Sequence, residues 1–156
     1  MGMATGHWFT NRGKTLIVQG AWDDDAATLI RCGLLVGTQP TAADTAAEVA
    51  DLNTVNDLLV TAAATECSAG GYARQNLSRT NAAEDDANDR VNLDASDVAF
   101  GALASGQTII GAFFYDATTD TNDTTRLLLS VDWFAAGVPT NGGTITYPIA
   151  DLYRAA

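Results

Sequence analysis

The sequence predicts a mainly β fold: an antiparallel β-sandwich or jelly-roll-like domain with one or two short helices and an extended N-terminal arm. Three observations lead there. Short runs rich in β-branched and aliphatic residues recur along the chain, most densely between Val91 and Phe134, punctuated by Gly, Asn and Asp. Helical periodicity is confined to one segment, Thr45 to Ala64. The second half places no helix between successive strands, as a βαβ arrangement would require. A chain of 156 residues, 47% of them apolar, is enough for one core. A single β-rich domain is therefore expected over residues 14–156, preceded by an arm over residues 1–13.

The arm is rich in Gly, Thr and Asn yet holds Trp8 and Phe9, and two aromatics on an arm imply that it docks. Lys14 to Gly20 (KTLIVQG) and Thr28 to Val36 (TLIRCGLLV) read as two strands of a hairpin around the acidic turn AWDDDAA. In the helical segment Val49, Leu52, Val55 or Asn56, and Leu59 recur at spacings of three and four, with Thr54 or Asp51 as caps. Tyr72 to Arg79 has the length of a strand but a weak apolar pattern, which fits a sheet edge. Asn81 to Asp89 (NAAEDDAND) reads as a loop.

Strands follow at Arg90–Leu93, Val98–Phe100, Thr108–Tyr115, Thr125–Phe134 and Gly142–Tyr147. The run Ile109 to Tyr115 is apolar on both faces, so it is expected to be covered on both sides. In the next strand Leu127, Leu129, Val131 and Trp133 fall on one face, assigned to the core, and Leu128, Ser130, Asp132 and Phe134 on the other. That pattern describes a half-buried strand.

Charge and motifs narrow the chemistry. The net charge of −11 comes from 19 acidic against 8 basic residues, with Lys14 the only lysine. Phosphate-backbone binding needs clustered cations, so nucleic acid is not an expected partner. An acidic surface is repelled by anionic lipid, and no apolar run approaches the roughly 20 residues that span a bilayer, so no membrane association is expected. The start of the chain lacks the basic and apolar pattern of a secretory signal. Cys32 alternates with Ile30, Leu34 and Val36 and reads as a reduced core thiol, while Cys67 lies in a loop-like stretch.

The acidic clusters read as solvated turns. Asp23, Asp24 and Asp25 are adjacent, so their side chains diverge. Asp116 to Asp123 (DATTDTND) lacks the glycine and terminal glutamate of a calcium loop, and Glu84, Asp85, Asp86 and Asp89 read the same way. His7, the single histidine, sits in the arm and reads as mobile; alone it cannot make a zinc site, and a Ser-His-Asp triad would need it held rigidly against a serine. Gly70 and Gly71 are not followed by a P-loop lysine, and the acceptor patterns at Asn76 and Asn122 are short enough to arise by chance. No catalytic, cofactor-binding or metal-ligating set is expected.

Three stretches carry a family resemblance. FTNRGKTLIVQGAWDDDAATLIRCGLLVG, VNDLLVTAAATECSAGGYARQNLSRT and DRVNLDASDVAFGALASGQTIIGAFFYD occur in this order. Their markers are a strand and turn near the start, the strand entry at Gly71 to Gln75, the segment Leu93 to Phe100, and the Gly-Ala strand ending at Tyr115-Asp116. Together they resemble small structural proteins of tailed bacteriophages, over Phe9 to about Phe134. The resemblance implies a virion component with no enzymatic activity, a capsid decoration (cement) protein on the capsid exterior, made in the host bacterial cytoplasm. Its implied partner is the major capsid protein, and a homo-oligomer, with a trimer on a local threefold, suits the lattice. Trp8, Phe9, Arg12 and Lys14 are the candidate interface residues. Two other readings remain at this point: a tail or neck component, and a carbohydrate-binding β-sandwich that uses Trp8, Trp22, Trp133 and tyrosines as stacking platforms.

Overall fold

The structure is a computed structural model that describes residues 6–19, 29–79, 83–86, 90–118, 121–149 and 153–155. It is mainly β, and every described strand pair is antiparallel. The central sheet is built from β1 (Gly6–Phe9), β2 (Ile30–Val36), β3 (Thr65–Glu66), β4 (Gln75–Asn76), β8 (Thr108–Asp116) and β9 (Leu128–Pro139). Its order is β1-β9-β8-β2-β3, with β4 pairing the same edge of the β2 region as a separate short strand. A ribbon of β7 (Val98–Ala102) and β10 (Thr144–Tyr147) forms a second layer. A third set joins β5 (Ala83–Asp85), β6 (Arg90–Leu93) and β11 (Tyr153–Ala155).

Each face of the central sheet meets its own apolar cluster. On one face Ile30, Cys32, Leu34, Ala112, Phe114 and Leu129 pack with Val98, Phe100, Leu103 and Tyr147, so that two β layers enclose a core in sandwich fashion. On the other face Leu35, Ile110, Phe113, Leu128, Val131 and Trp133 pack against Val49, Leu52, Val55 and Leu58 of a helical layer. The expectation that the Ile109 to Tyr115 run is covered on both sides therefore holds.

The helical layer follows its local signals. Helix α2 (Ala46–Asp51) starts at Thr45, whose hydroxyl accepts from the Glu48 amide while the Glu48 carboxylate accepts from the Thr45 amide. The cap is thus Thr45, and Asp51 instead ends the helix. Thr54 and Asp57 repeat the reciprocal arrangement further along the chain, at the start of a π-helical turn over Asp57–Thr61. Trp133 ties this layer to the sheet by donating from Nε1 to the Ala43 carbonyl at 2.8 Å.

Five local expectations fail in whole or in part, each for a tertiary reason. The Lys14 to Gly20 stretch is not a strand: Asn11–Val18 forms helix α1, which removes the expected hairpin. Thr10 caps it, accepting from Gly13 N–H at 2.7 Å while donating to the Leu128 carbonyl at 2.6 Å. Gly13 lies directly on the β9 backbone, where a Cβ would run into the Leu129 carbonyl, and Leu16 and Ile17 pack on the core beside it. Burial of that face overrides the β propensity of Leu-Ile-Val.

Residues 6–13, read as part of an arm, lie on the domain itself: β1 is the edge strand of the central sheet, with Trp8 opposite Val131. Residues 83–85 of the expected acidic loop form β5, recruited by pairing with β6. In Tyr72 to Arg79 only Gln75–Asn76 is a strand, although it does lie at an edge.

The face assignment in β9 fails for a clearer reason. Leu128 pairs with Tyr115 and Ser130 with Phe114, so Leu129 is an extra residue in a β-bulge. The bulge turns Leu129 toward the β layer while Leu128, Val131 and Trp133 face the helical layer. Leu128, Leu129, Ser130 and Val131 are all buried, so this stretch is covered on both faces and is not half-buried.

Candidate functional site

The register of β9 produces a feature with the shape of a site. Trp133 pairs with Gly111 and Val138 with Ile109, so Phe134 to Gly137 stand against Ile110 alone and bow out of the ladder. Gly111 permits the tight approach at the start of the bow, since a Cβ there would meet the Asp132 carbonyl at 2.6 Å and the Trp133 ring at 2.8 Å. Between the bowed segment and β10 lies an open groove of about 400 Å³, walled by Phe134, Ala136, Val138, Ile145 and Pro148. Asp132 and Tyr147 also line it, and the Tyr147 hydroxyl donates to Asp132 Oδ2 at 2.6 Å. The Phe134 and Tyr147 rings stack with centroids 5.6 Å apart.

Behind the groove, on the same face of β9, Ser130 meets His7. His7 Nε2 and Ser130 Oγ are 2.8 Å apart, and the imidazole stacks on Phe9 and Phe114 at 5.1 and 5.6 Å. This histidine, read as mobile, is held rigidly by β1 opposite Asp132. Burial lowers its pKa from 6.5 to about 4, with Asp132 opposing, so it is neutral at neutral pH. A Ser-His-Asp reading fails on access and connectivity. Ser130 is fully buried, the groove reaches Asp132 but is lined by neither His7 nor Ser130, and the described partner of Asp132 is Tyr147. The same burial, reinforced by Asp132, raises the Cys32 thiol and makes it unreactive at neutral pH. Burial, then Asp132, likewise raises Tyr147, which keeps its proton for the Asp132 bond.

The strongest polar cluster is structural. Arg74 forms two-pronged ion pairs with Glu66 and with Asp123, each contact at 2.7 Å, and Arg126 adds a 2.9 Å contact to Asp123. The Arg74 guanidinium also lies over the Phe113 and Tyr115 rings. Tyr72 donates to Glu66 and accepts the Leu34 amide at 3.0 Å, filling the gap along β2 between β3 and β4. Arg74, then Arg126, hold Asp123 below the usual carboxylate range.

The residues read from sequence now have places. Phe9 is buried in its own core, so it is not an exposed contact residue; Trp8 is half-buried against the helical-layer core; Arg12 and Lys14 are exposed on α1. Trp133 is buried and hydrogen-bonded, which removes it as a stacking platform, and Trp22 lies outside the described residues. Asp23, Asp24, Asp25, Asp89 and Asp120 also lie outside them, while Asp123 is committed to two arginines. No cluster of three or more His, Cys, Asp or Glu suited to a metal occurs among the described residues. Sequence reasoning missed the groove entirely, because a bowed strand leaves no mark in alternation; the glycines at 111 and 137 flanking the bow are its only trace. No protein-family model, curated protein or solved structure matches this chain.

Proposed function

We propose that this protein is a structural component of a tailed-bacteriophage particle, a capsid decoration protein that binds the outside of the head and stabilises it without catalysing a reaction. The observation that carries the reading is the sequence resemblance over Phe9 to about Phe134. Physical features support it. The polar groups with chemical potential are engaged in holding the fold: His7 with Ser130 inside the core, Arg74 with Glu66 and Asp123 across strands and loop. A net charge of −11 keeps a surface protein dispersed at high local density. The partner in this reading is the major capsid protein, with Arg12 and Lys14 on the outer surface of α1 available to its carboxylates. A trimer fits a local threefold, and weak contacts repeated over a lattice add through multivalency.

The test mixes purified protein with undecorated capsids and, separately, with isolated tails. Cosedimentation with heads and a higher temperature of DNA release are expected. Binding to tails but not heads would replace this reading with the tail or neck role, and binding to neither would end it.

A further inference from the structure

We infer that the groove between the bowed part of β9 and β10 is an anchor site for a cationic side chain, lysine or arginine, presented by the partner protein. The stem would lie along the apolar walls and the charged head on Asp132. The inference rests on the decoration reading only for the identity of that partner. Its basis is the mismatch between the walls and the one charge among them. Phe134, Ala136, Val138, Ile145 and Pro148 supply an apolar surface, Val138 being 39% exposed. Asp132 joins them with Oδ2 held by Tyr147, while Oδ1 has no hydrogen bond or ion pair among the described residues.

No lysine or arginine lines the groove, so no cation in its lining competes for Asp132, and the net charge of −11 favours an incoming cation. A purely apolar occupant would strip water from Asp132 and return no hydrogen bond. An anionic one would be repelled. A long aliphatic stem ending in a cation satisfies both parts, as Lys and Arg do when they bury their methylenes and keep the head polar. The stacked Phe134 and Tyr147 rings add an aromatic wall on which a guanidinium can lie. The fixed Asp132–Tyr147 pair orients the acceptor in advance, so less order is lost on binding.

The experiment titrates the intact protein with n-butylammonium, n-butylguanidinium and, as a neutral isostere, n-butanol, following backbone amide shifts. Saturable shifts confined to residues 132–138 and 145–147 are expected with the cations, with butanol weaker by about tenfold or more. The ammonium and guanidinium arms distinguish lysine from arginine. Asp132→Asn should lose the preference for cations. Because that change also touches Tyr147, Ala136→Phe supplies a second variant that fills the groove and leaves the pair intact. Equal response to butanol, unchanged binding by both variants, or no localised shifts would overturn the inference. Cosedimentation with capsids separates it from the broader reading. If the wild type and both variants bind heads equally, the groove is not the anchor although decoration stands; if the wild type binds the cations but no capsid, the cation site stands and decoration falls.

Discussion

Acid should loosen this protein through His7 at a higher pH than it reaches the Arg74–Asp123 pair. The imidazole is enclosed by Phe9 and Phe114 and hydrogen-bonded to Ser130, and its pKa falls from 6.5 to about 4 on folding, mainly by burial. The unfolded chain therefore binds a proton that the folded one refuses. Stability from this group is fully present above pH 6.5, declines as pH falls below it, and is gone once pH passes about 4. At about 1.4 kcal/mol for each tenfold difference in proton affinity, the gap gives an upper figure of about 3 kcal/mol. That is a large share of the ~5–15 kcal/mol typical of a domain. The Asp123 contribution, held in place by Arg74, is lost only at lower pH, since its folded pKa lies below the ordinary carboxylate value. Urea unfolding at about pH 7.5, 6, 5 and 4.5 would measure the slope. His7→Gln keeps a group able to reach Ser130 but does not titrate; it should cost about 1 kcal/mol from lost stacking at pH 7.5 and flatten the slope between 6.5 and 4.5. An equal slope in the variant would show that His7 is not the buried titrating group and would refute the reasoning.

Leu129→Ala should destabilise by about 2–5 kcal/mol, since Leu129 is 1% exposed between the bulge and the β layer; equilibrium unfolding with a negligible change would mean that the bulge is misplaced. Arg74→Met should cost about 2–4 kcal/mol, as it leaves Glu66 without its cation and Asp123 with Arg126 alone, and Arg74→Lys should recover only part because an ammonium cannot form both two-pronged pairs. Ala63 has φ 59° just past the π-helical turn, where Ala64 N–H reaches the Leu58 carbonyl, so Ala63→Gly should stabilise by about 0.5–1 kcal/mol in thermal melts. Melts with a chelator or a reductant should superimpose on the untreated curve: Cys32 and Cys67 are free thiols, and a fall with chelator would point to the acidic residues outside the described ones.

The alternating runs at Val98–Ala102 and Thr144–Tyr147, the aliphatic run at Ile30–Val36, the two-sided apolar run at Thr108–Asp116, and the three-and-four spacing of Val49, Leu52 and Val55 were legible because local pattern and burial agree there. From the sequence alone came the mainly β, antiparallel character, one short helical segment, the core position of Cys32 and the two-sided burial of the Ile109 to Tyr115 strand. Tertiary contacts decided the rest. Lys14 to Val18 has the composition of a strand, yet Thr10 caps a helix there while its hydroxyl donates to the Leu128 carbonyl, and Gly13 lies against the β9 backbone at the bulged Leu129. His7 looked mobile until β1 found its place opposite Ser130 and Asp132, more than a hundred residues away in the chain. The groove belongs to the same class. A one-residue change of register reverses which face a side chain serves, and the register of β9 is set by its partners β1 and β8 rather than by its own alternation. For that reason the sequence showed the strand, and only the assembled sheet showed where Leu129 points and where Asp132 opens to the surface.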